Sequence, residues 1–161
     1  MLDSIDITIL NALQQSGRKR RNELAEETGL SLPAISERLR KLEERGYIER
    51  YTAVLNAKLL GNDVTAFVSV TIDSSKHYED FLRHVQQHPE ILECHAVTGD
   101  GSHLLKIRTA NTASLEEILS AIQSWRGVQG TRTSVVLSTR KETLSISLAT
   151  HDTHHTEKKH A

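Results

Sequence analysis

The sequence is poor in cysteine and has no long apolar run, and each shortage excludes a class of protein. Its 161 residues include one cysteine, Cys94, which excludes an internal disulfide framework and a CxxC zinc site. No apolar run approaches the roughly 20 residues that a membrane-spanning helix needs. The N-terminus carries an early acid and no basic start, unlike a secretory signal. We therefore expect a cytoplasmic globular protein of one or two small domains, with no membrane partner.

An excess of either charge is also missing. Lys and Arg number 20 against 21 Asp and Glu, which gives a formal net charge of −1. This balance argues against a nucleic-acid-binding protein, because a strongly basic domain is the usual first sign of one. The local distribution changes that interpretation, since basic residues cluster at positions 18–21 and again at positions 38–45. Such patches can attract phosphates within a near-neutral chain, because electrostatic attraction acts over about 8–10 Å.

The first 50 residues predict three helices. Asp3 is the expected N-cap of the first, Asn22 that of a second helix over Glu23–Thr28, and Ser31 that of the third. Gly29 allows the left-handed backbone that a tight turn between the second and third helices requires. Helix, glycine-containing turn and helix together form a helix-turn-helix, whose second helix enters the major groove of DNA.

Two groups of side chains are the candidate DNA contacts. Short polar residues near the start of the third helix can reach base edges, while Arg and Lys side chains can reach phosphates or guanine. The alternative is the ordinary solvated face of a three-helix bundle. The candidate residues are Arg18, Lys19, Arg20, Arg21, Ser31, Pro33, Ala34, Ser36, Glu37, Arg38, Arg40 and Lys41.

The hydrophobic period changes from helical to alternating in the second part of the chain. Residues 47–55 alternate and predict a strand or wing, and residues 64–72 have a period of two. From there to residue 138 the pattern predicts strand, helix, strand, strand, helix, strand, with Ser114 as the cap of the second helix. This βαββαβ order is the ferredoxin-like motif, in which two helices cover one face of the sheet. We expect a second copy to cover the other face, and residues 143–150 predict an additional edge strand.

Several short motifs point to a known family. In the first half they are Leu2-Asp3, Glu23-Leu24-Ala25, Gly29-Leu30-Ser31, Arg38-Leu39, Leu42-Glu43 and Gly46; in the second they are Val97-Thr98-Gly99-Asp100, Gly127-Val128 and Thr131-Arg132-Thr133. Over about residues 1–140 the chain resembles the Lrp/AsnC, or feast/famine, family of transcriptional regulators. The resemblance implies double-stranded DNA as a partner and homodimers that assemble into octamers or other rings of dimers. No cofactor is expected.

The resemblance also implies an effector site for an amino acid or a related small metabolite. The candidate effector-binding residues are Thr98, Gly99, Asp100, Gly101, Ser102, His103, Gly130, Thr131, Arg132 and Thr133. Backbone donors of the glycine-rich loop can hold a carboxylate, and Asp100 can accept an ammonium group. The family commonly continues Gly-Asp with Tyr-Asp-Tyr, whereas Gly101, Ser102 and His103 stand here. Two alternatives follow: a different ligand, or an architectural DNA-binding regulator that needs no effector.

Taken together, the residue patterns and the resemblance predict an α+β protein. Residues 1–50 form a winged helix-turn-helix DNA-binding domain, residues 51–63 a hinge strand and linker, and residues 64–150 a ferredoxin-like βαββαβ domain for ligand sensing and oligomerisation. Residues 151–161 form a polar, His-rich tail expected to lack ordered structure.

Two rival classes are weaker. An enzyme is not expected, because no catalytic motif is present and the adjacent Cys94 and His95 point to opposite faces of a predicted strand. A metal-responsive regulator is the other alternative, since the chain has nine histidines. His84 and His88 have the i, i+4 spacing of helical metal ligands, and four more histidines lie in the tail, at His151, His154, His155 and His160.

Overall fold

The structure, a computed structural model, describes residues 2–148 of the chain. These residues form two compact units. Residues 2–54 and residues 142–148 belong to the first unit, and Leu55–Lys141 form the second. The predicted tail at residues 151–161 and its four histidines lie outside the described residues.

Three helices make up the first unit, as the sequence predicts. They are α1 at Ser4–Gln15, α2 at Arg21–Thr28 and α3 at Leu32–Glu44. Their packed core consists of apolar side chains from all three: Ile9, Leu10, Ala12, Leu24, Ile35, Leu39 and Leu42. Gly29 ends α2 with a φ of +70°, a left-handed conformation that favours glycine and turns the chain into α3.

Local hydrogen bonds at the helix starts confirm two of the three predicted caps. Asp3 caps α1 by accepting the Asp6 N–H at 2.8 Å, and Ser31 caps α3. The prediction for α2 is wrong, because the helix begins at Arg21 and Arg20, not Asn22, is its N-cap. There the Glu23 carboxylate accepts the Arg20 N–H at 2.6 Å, which satisfies a backbone donor at the helix start.

The predicted strand or wing at residues 47–55 is absent from the described part of the chain. Residues 48–56 form neither helix nor strand, although their side chains alternate. A strand needs a neighbouring backbone to bond, and no described strand pairs with this segment. Apolar side chains are left in solvent here, with Val54 83% and Leu55 66% exposed.

The second unit confirms the predicted βαββαβ order. Its elements are β1 at Val64–Ile72, α4 at Tyr78–Gln87, β2 at Ile91–Ala96, β3 at His103–Thr109, α5 at Thr112–Ser124 and β4 at Val128–Val135, with a short 3-10 helix at Ser75–His77 before α4. The sheet is antiparallel in the order β2-β3-β1-β4, which is the ferredoxin-like topology.

The two faces of this sheet differ in burial. Ala66, Val68 and Val70 of β1 are fully buried with α4 and α5, whereas Phe67, between them, is 38% exposed on the opposite face. Within Leu55–Lys141 this alternation leaves one sheet face uncovered by helices, as expected from the sequence.

Two further predictions about the second half are wrong. Asn111, not Ser114, caps α5: its side-chain oxygen accepts the Ser114 N–H at 2.9 Å. The edge strand predicted at residues 143–150 is also absent from the described residues 143–148. That segment belongs to the first unit, where the Ile146 backbone bonds the side chain of Gln14. A period of two indicates an extended chain but does not identify its partner.

Candidate nucleic-acid interface and effector site

The exposed face of α3 is the candidate DNA-reading surface. Ile35, Leu39 and Leu42 are buried, so at about 100° per residue Glu37 lies nearly opposite the buried stripe. The helix begins with the Ser31 cap, whose hydroxyl accepts the Ala34 N–H at 3.4 Å, and Pro33 lies in its first turn. These residues and Ser36 surround the N-terminal half of the helix, from which a recognition helix contacts base edges.

Charged side chains on this face pair with one another. Arg40 donates to both oxygens of Glu37, at 3.0 and 2.6 Å, and also to Glu44. The Lys41 ammonium lies 3.4 Å from Glu37. Hydrogen bonding from Arg40, followed by Lys41, lowers the pKa of Glu37 to about 2, so its carboxylate is ionised. Two cations and two anions therefore cancel, and this cluster adds no net charge.

Arg38 has a different environment from the other basic residues of α3. Its guanidinium donates to Asp3 at 2.7 Å and to Asp6 at 2.6 Å, which joins α3 to the capping box of α1. The pKa of Asp3 is lowered first by the Asp6 N–H and then by Arg38, and the two aspartates raise the pKa of Arg38. Arg38 is thus occupied within the first unit, and its predicted contact with DNA stays a prediction.

The basic run at residues 18–21 is only partly neutralised. Lys19 pairs with Glu27 of α2. Arg18, Arg20 and Arg21 form no ion pair within residues 2–148, and neither does Arg45 at the end of α3. Arg45 is not among the predicted DNA contacts, although the sequence places it in the basic cluster at positions 38–45. The positive charge of these four guanidiniums is therefore not offset by an ion pair within the described residues.

The glycine-rich loop between β2 and β3 is held against β1. Ser69 donates its hydroxyl hydrogen to the Asp100 carbonyl at 2.6 Å, and the Ser102 N–H donates to the Val70 carbonyl at 2.9 Å. Gly101 has a φ of +123°, and an added Cβ would lie 2.4 Å from the Ser69 hydroxyl. Glycine is therefore required here for both its conformation and its size.

Asp100 and Arg132 bring the two predicted effector segments together. The Arg132 guanidinium lies 3.4 Å from the Asp100 carboxylate, and the two side chains are 77% and 87% exposed. Thr98, Gly99 and Ser102 lie in the same loop. Gly130, Thr131, Arg132 and Thr133 lie in strand β4.

His103, predicted to contact the effector, faces the core instead. It is 3% exposed, and its ring lies 4.8 Å from that of Tyr78 and 4.9 Å from that of Phe81. Side chains alternate along β3, so His103 shares the helix-covered face with Leu105 and Ile107. Burial lowers the pKa of His103. Its side chain is therefore part of the core, and its predicted role in effector binding stays a prediction.

Alternation along β4 also separates its candidate residues. Thr131 accepts a hydrogen bond from Gln123 of α5 at 2.9 Å, and Thr133 lies opposite the buried Val68. Both threonines therefore face the helices, and their predicted effector contacts stay predictions. Gly130 and Arg132 are the members of this group on the open face.

The residues considered for other chemistry do not form a site in the described chain. Cys94 lies opposite the buried Leu105 and His95 opposite Leu104, on different faces of the sheet. His84 stacks on Trp125 at 5.1 Å. Within residues 2–148 no three metal-ligating side chains converge. No helix among these residues has the length and apolar character to cross a membrane.

A helix-turn-helix followed by a ferredoxin-like sheet domain defines a class of regulator that pairs DNA binding with ligand sensing. Comparison with known proteins agrees with both parts. Residues 2–49 match the family of winged helix-turn-helix DNA-binding domains, and residues 65–146 match the Lrp/AsnC ligand binding domain.

Relatives match almost along their full lengths. The chain is 39% identical over 147 residues to the HTH-type transcriptional regulator FL11 of Pyrococcus horikoshii, covering 91% of this chain and 97% of that protein. It is 38% identical over 152 residues to the leucine-responsive regulatory protein of Escherichia coli, covering 92% and 93%. A transcriptional regulator from Neisseria meningitidis, solved in complex with L-Met, superposes with a TM-score of 0.87 at 34% identity, covering 91% and 97%. The chain therefore belongs to the Lrp/AsnC family and is a DNA-binding transcriptional regulator.

Proposed function

We propose that a zwitterionic small molecule, an amino acid or a close relative, binds at the Asp100–Arg132 pair and alters how α3 occupies operator DNA. The observation that carries this proposal is an exposed carboxylate and guanidinium 3.4 Å apart on two adjoining segments. Their opposite charges complement the ammonium and the carboxylate of an amino acid. The regulator from Neisseria meningitidis that was solved with L-Met supports the same ligand class.

In the proposed DNA surface, one group of residues contacts phosphates and another contacts base edges. Arg18, Arg20, Arg21 and Arg45 supply phosphate contacts, because no carboxylate of the described residues neutralises them. The N-terminal half of α3, with Pro33, Ser36 and Glu37, supplies the base-reading contacts. Modest non-specific affinity and marked sequence specificity follow from this division.

The functional unit we propose is a cytoplasmic homodimer formed through the open sheet face, which assembles further into octamers or other rings. Phe67 is 38% exposed on that face, and the alternation of side chains along β1 gives a partner sheet a regular surface. The role is binding without catalysis. A regulator that needs no effector is the second candidate, favoured by Gly101, Ser102 and His103 standing where the family commonly has Tyr-Asp-Tyr.

A thermal-shift screen of the amino acids tests the effector. A ligand that binds only the folded state raises stability by about 2.7 kcal/mol at 100 times its Kd. Arg132→Gln should abolish the shift, whereas the same change at the exposed Arg140, which forms no ion pair among the described residues, should not. A stabilising ligand whose effect survives Arg132→Gln would contradict the proposed site, and no stabilising amino acid would favour the effector-independent regulator.

A further inference from the structure

Glu37 occupies the outermost position of the proposed DNA-reading helix. Ile35, Leu39 and Leu42 define the buried side of α3, and Glu37 lies nearly opposite them. Its side chain is 48% exposed. As the sixth residue of a 13-residue helix it belongs to the N-terminal half, from which base edges are contacted.

A carboxylate on the exposed face of α3 would repel the phosphates of bound DNA, so the presence of Glu37 there needs an explanation. Arg40 and Lys41 hold Glu37 from one side, which leaves it ionised and restricts its orientation. Together with Glu44 these residues have no net charge, so the cluster offers no general attraction for phosphates. Its contribution to binding must then come from directed hydrogen bonds.

We propose that Glu37 is a specificity-determining residue that accepts a hydrogen bond from the exocyclic amine of a cytosine in the major groove. Among the base edges exposed there, the N4 amine of cytosine is a donor that suits a carboxylate acceptor. Arg40 and Lys41 act as positioning residues: both contact Glu37 Oε1, whereas Oε2 accepts only from the Arg40 Nε and keeps a lone pair for a base. This inference rests on the proposed placement of α3 in the groove.

Glu44 provides a matched control on the same helix face. It pairs with the same arginine, Arg40, and its side chain is 58% exposed. It stands seven residues further along, about 10 Å towards the C-terminal end of α3, away from the base-reading half. Glu37→Gln and Glu44→Gln each remove one charge from the Arg40 network, but only the first alters the proposed base contact.

Selection from a randomised DNA duplex library, followed by competition binding, tests the assignment in the full-length chain. The wild-type protein should select cytosine at one position of its site. Glu37→Gln should change that preference to adenine, which glutamine bonds through N6 and N7, with a loss of about tenfold or more in affinity for the original site. Glu44→Gln should keep the wild-type preference. Circular dichroism confirms that both variants are folded.

Two results would overturn the inference while leaving the DNA-binding role of α3 intact. One is a Glu37→Gln variant that selects the wild-type sequence, and the other is the same change of preference in Glu44→Gln, since Glu37 would then act only through Arg40. A wild-type protein that selects no sequence would instead refute both this inference and the proposed base reading by α3.

Discussion

Gln14 and Ile146 exchange two hydrogen bonds across 132 residues of sequence. The Ile146 N–H donates to the Gln14 side-chain oxygen at 2.7 Å, and the Gln14 amide donates to the Ile146 carbonyl at 3.1 Å. Leu148 packs against the helical core nearby. The helix-turn-helix unit is therefore built from both ends of the described chain, and Leu55–Lys141 are tethered to it at two points.

We expect Gln14→Ala to lower the free energy of unfolding of the first unit by about 1 kcal/mol, because it leaves both backbone groups of Ile146 without these partners. Gln15→Ala is the matched control, since Gln15 is an exposed neighbour in the same helix. Amide hydrogen exchange across α1 and residues 142–148 measures the effect. Equal protection in the two variants would show that the segment contributes nothing to the unit.

Arg38→Ala should destabilise the first unit before it affects DNA contacts. Loss of the guanidinium removes the ion pairs to Asp3 and to Asp6, whose side chain is 13% exposed, at a cost of about 1 kcal/mol. Urea unfolding measures this cost.

Arg45→Ala is the comparison: Arg45 has no ion pair within residues 2–148, so its loss should leave stability unchanged. It should also reduce the salt dependence of DNA binding by about one phosphate contact. If Arg38→Ala instead left stability unchanged and reduced the salt dependence of DNA binding, Arg38 would be a primary DNA contact.

The sequence predicts what is local and periodic, and fails where the partner is distant. Hydrophobic period locates the helices and the βαββαβ order, and short-range hydrogen bonding locates the cap at Asp3. The partners of Arg38 lie 32 and 35 residues away, so no spacing rule indicates them. The alternating pattern of residues 143–148 correctly indicates an extended chain, but it does not reveal that the segment belongs to the first unit.

The burial of His103 can be predicted from the sequence alone. His103 lies two residues before Leu105 and four before Ile107 in β3, and residues two apart on a strand share a face. The core position therefore follows from the strand itself. The family resemblance draws attention to the loop instead, because His103 follows the glycine-rich segment directly.

Burial of His103 makes the second unit sensitive to acid. Burial lowers the pKa of His103 in the folded state, while the unfolded chain keeps the ordinary value near 6.5. The unfolded state therefore binds its proton first, so the contribution is complete above about pH 6.5 and is lost as the pH falls through that value towards the lower folded pKa. His103→Phe, which keeps an aromatic ring beside Phe81, should reduce the loss of stability between pH 7.5 and pH 5.

Denaturant unfolding at the two pH values measures this difference. His95→Gln serves as the control, because His95 is 59% exposed on the other face of the sheet. If the His103→Phe protein lost as much stability on acidification as the wild type, protonation of His103 could not be the cause.

The two glycines of the glycine-rich loop between β2 and β3 should differ in their tolerance of alanine. Gly99 has a φ of +107°, and a Cβ added there would have nothing within 4 Å, so Gly99→Ala costs only backbone strain, about 1–3 kcal/mol. Gly101→Ala adds a contact of 2.4 Å with the Ser69 hydroxyl and should cost more. Combining Gly101→Ala with Ser69→Gly relieves that contact, while Ser69→Gly alone reports the lost hydrogen bond to Asp100. A double-mutant cycle on unfolding should therefore show a favourable coupling, and additive effects would mean that strain, not the close approach to β1, makes glycine necessary at position 101.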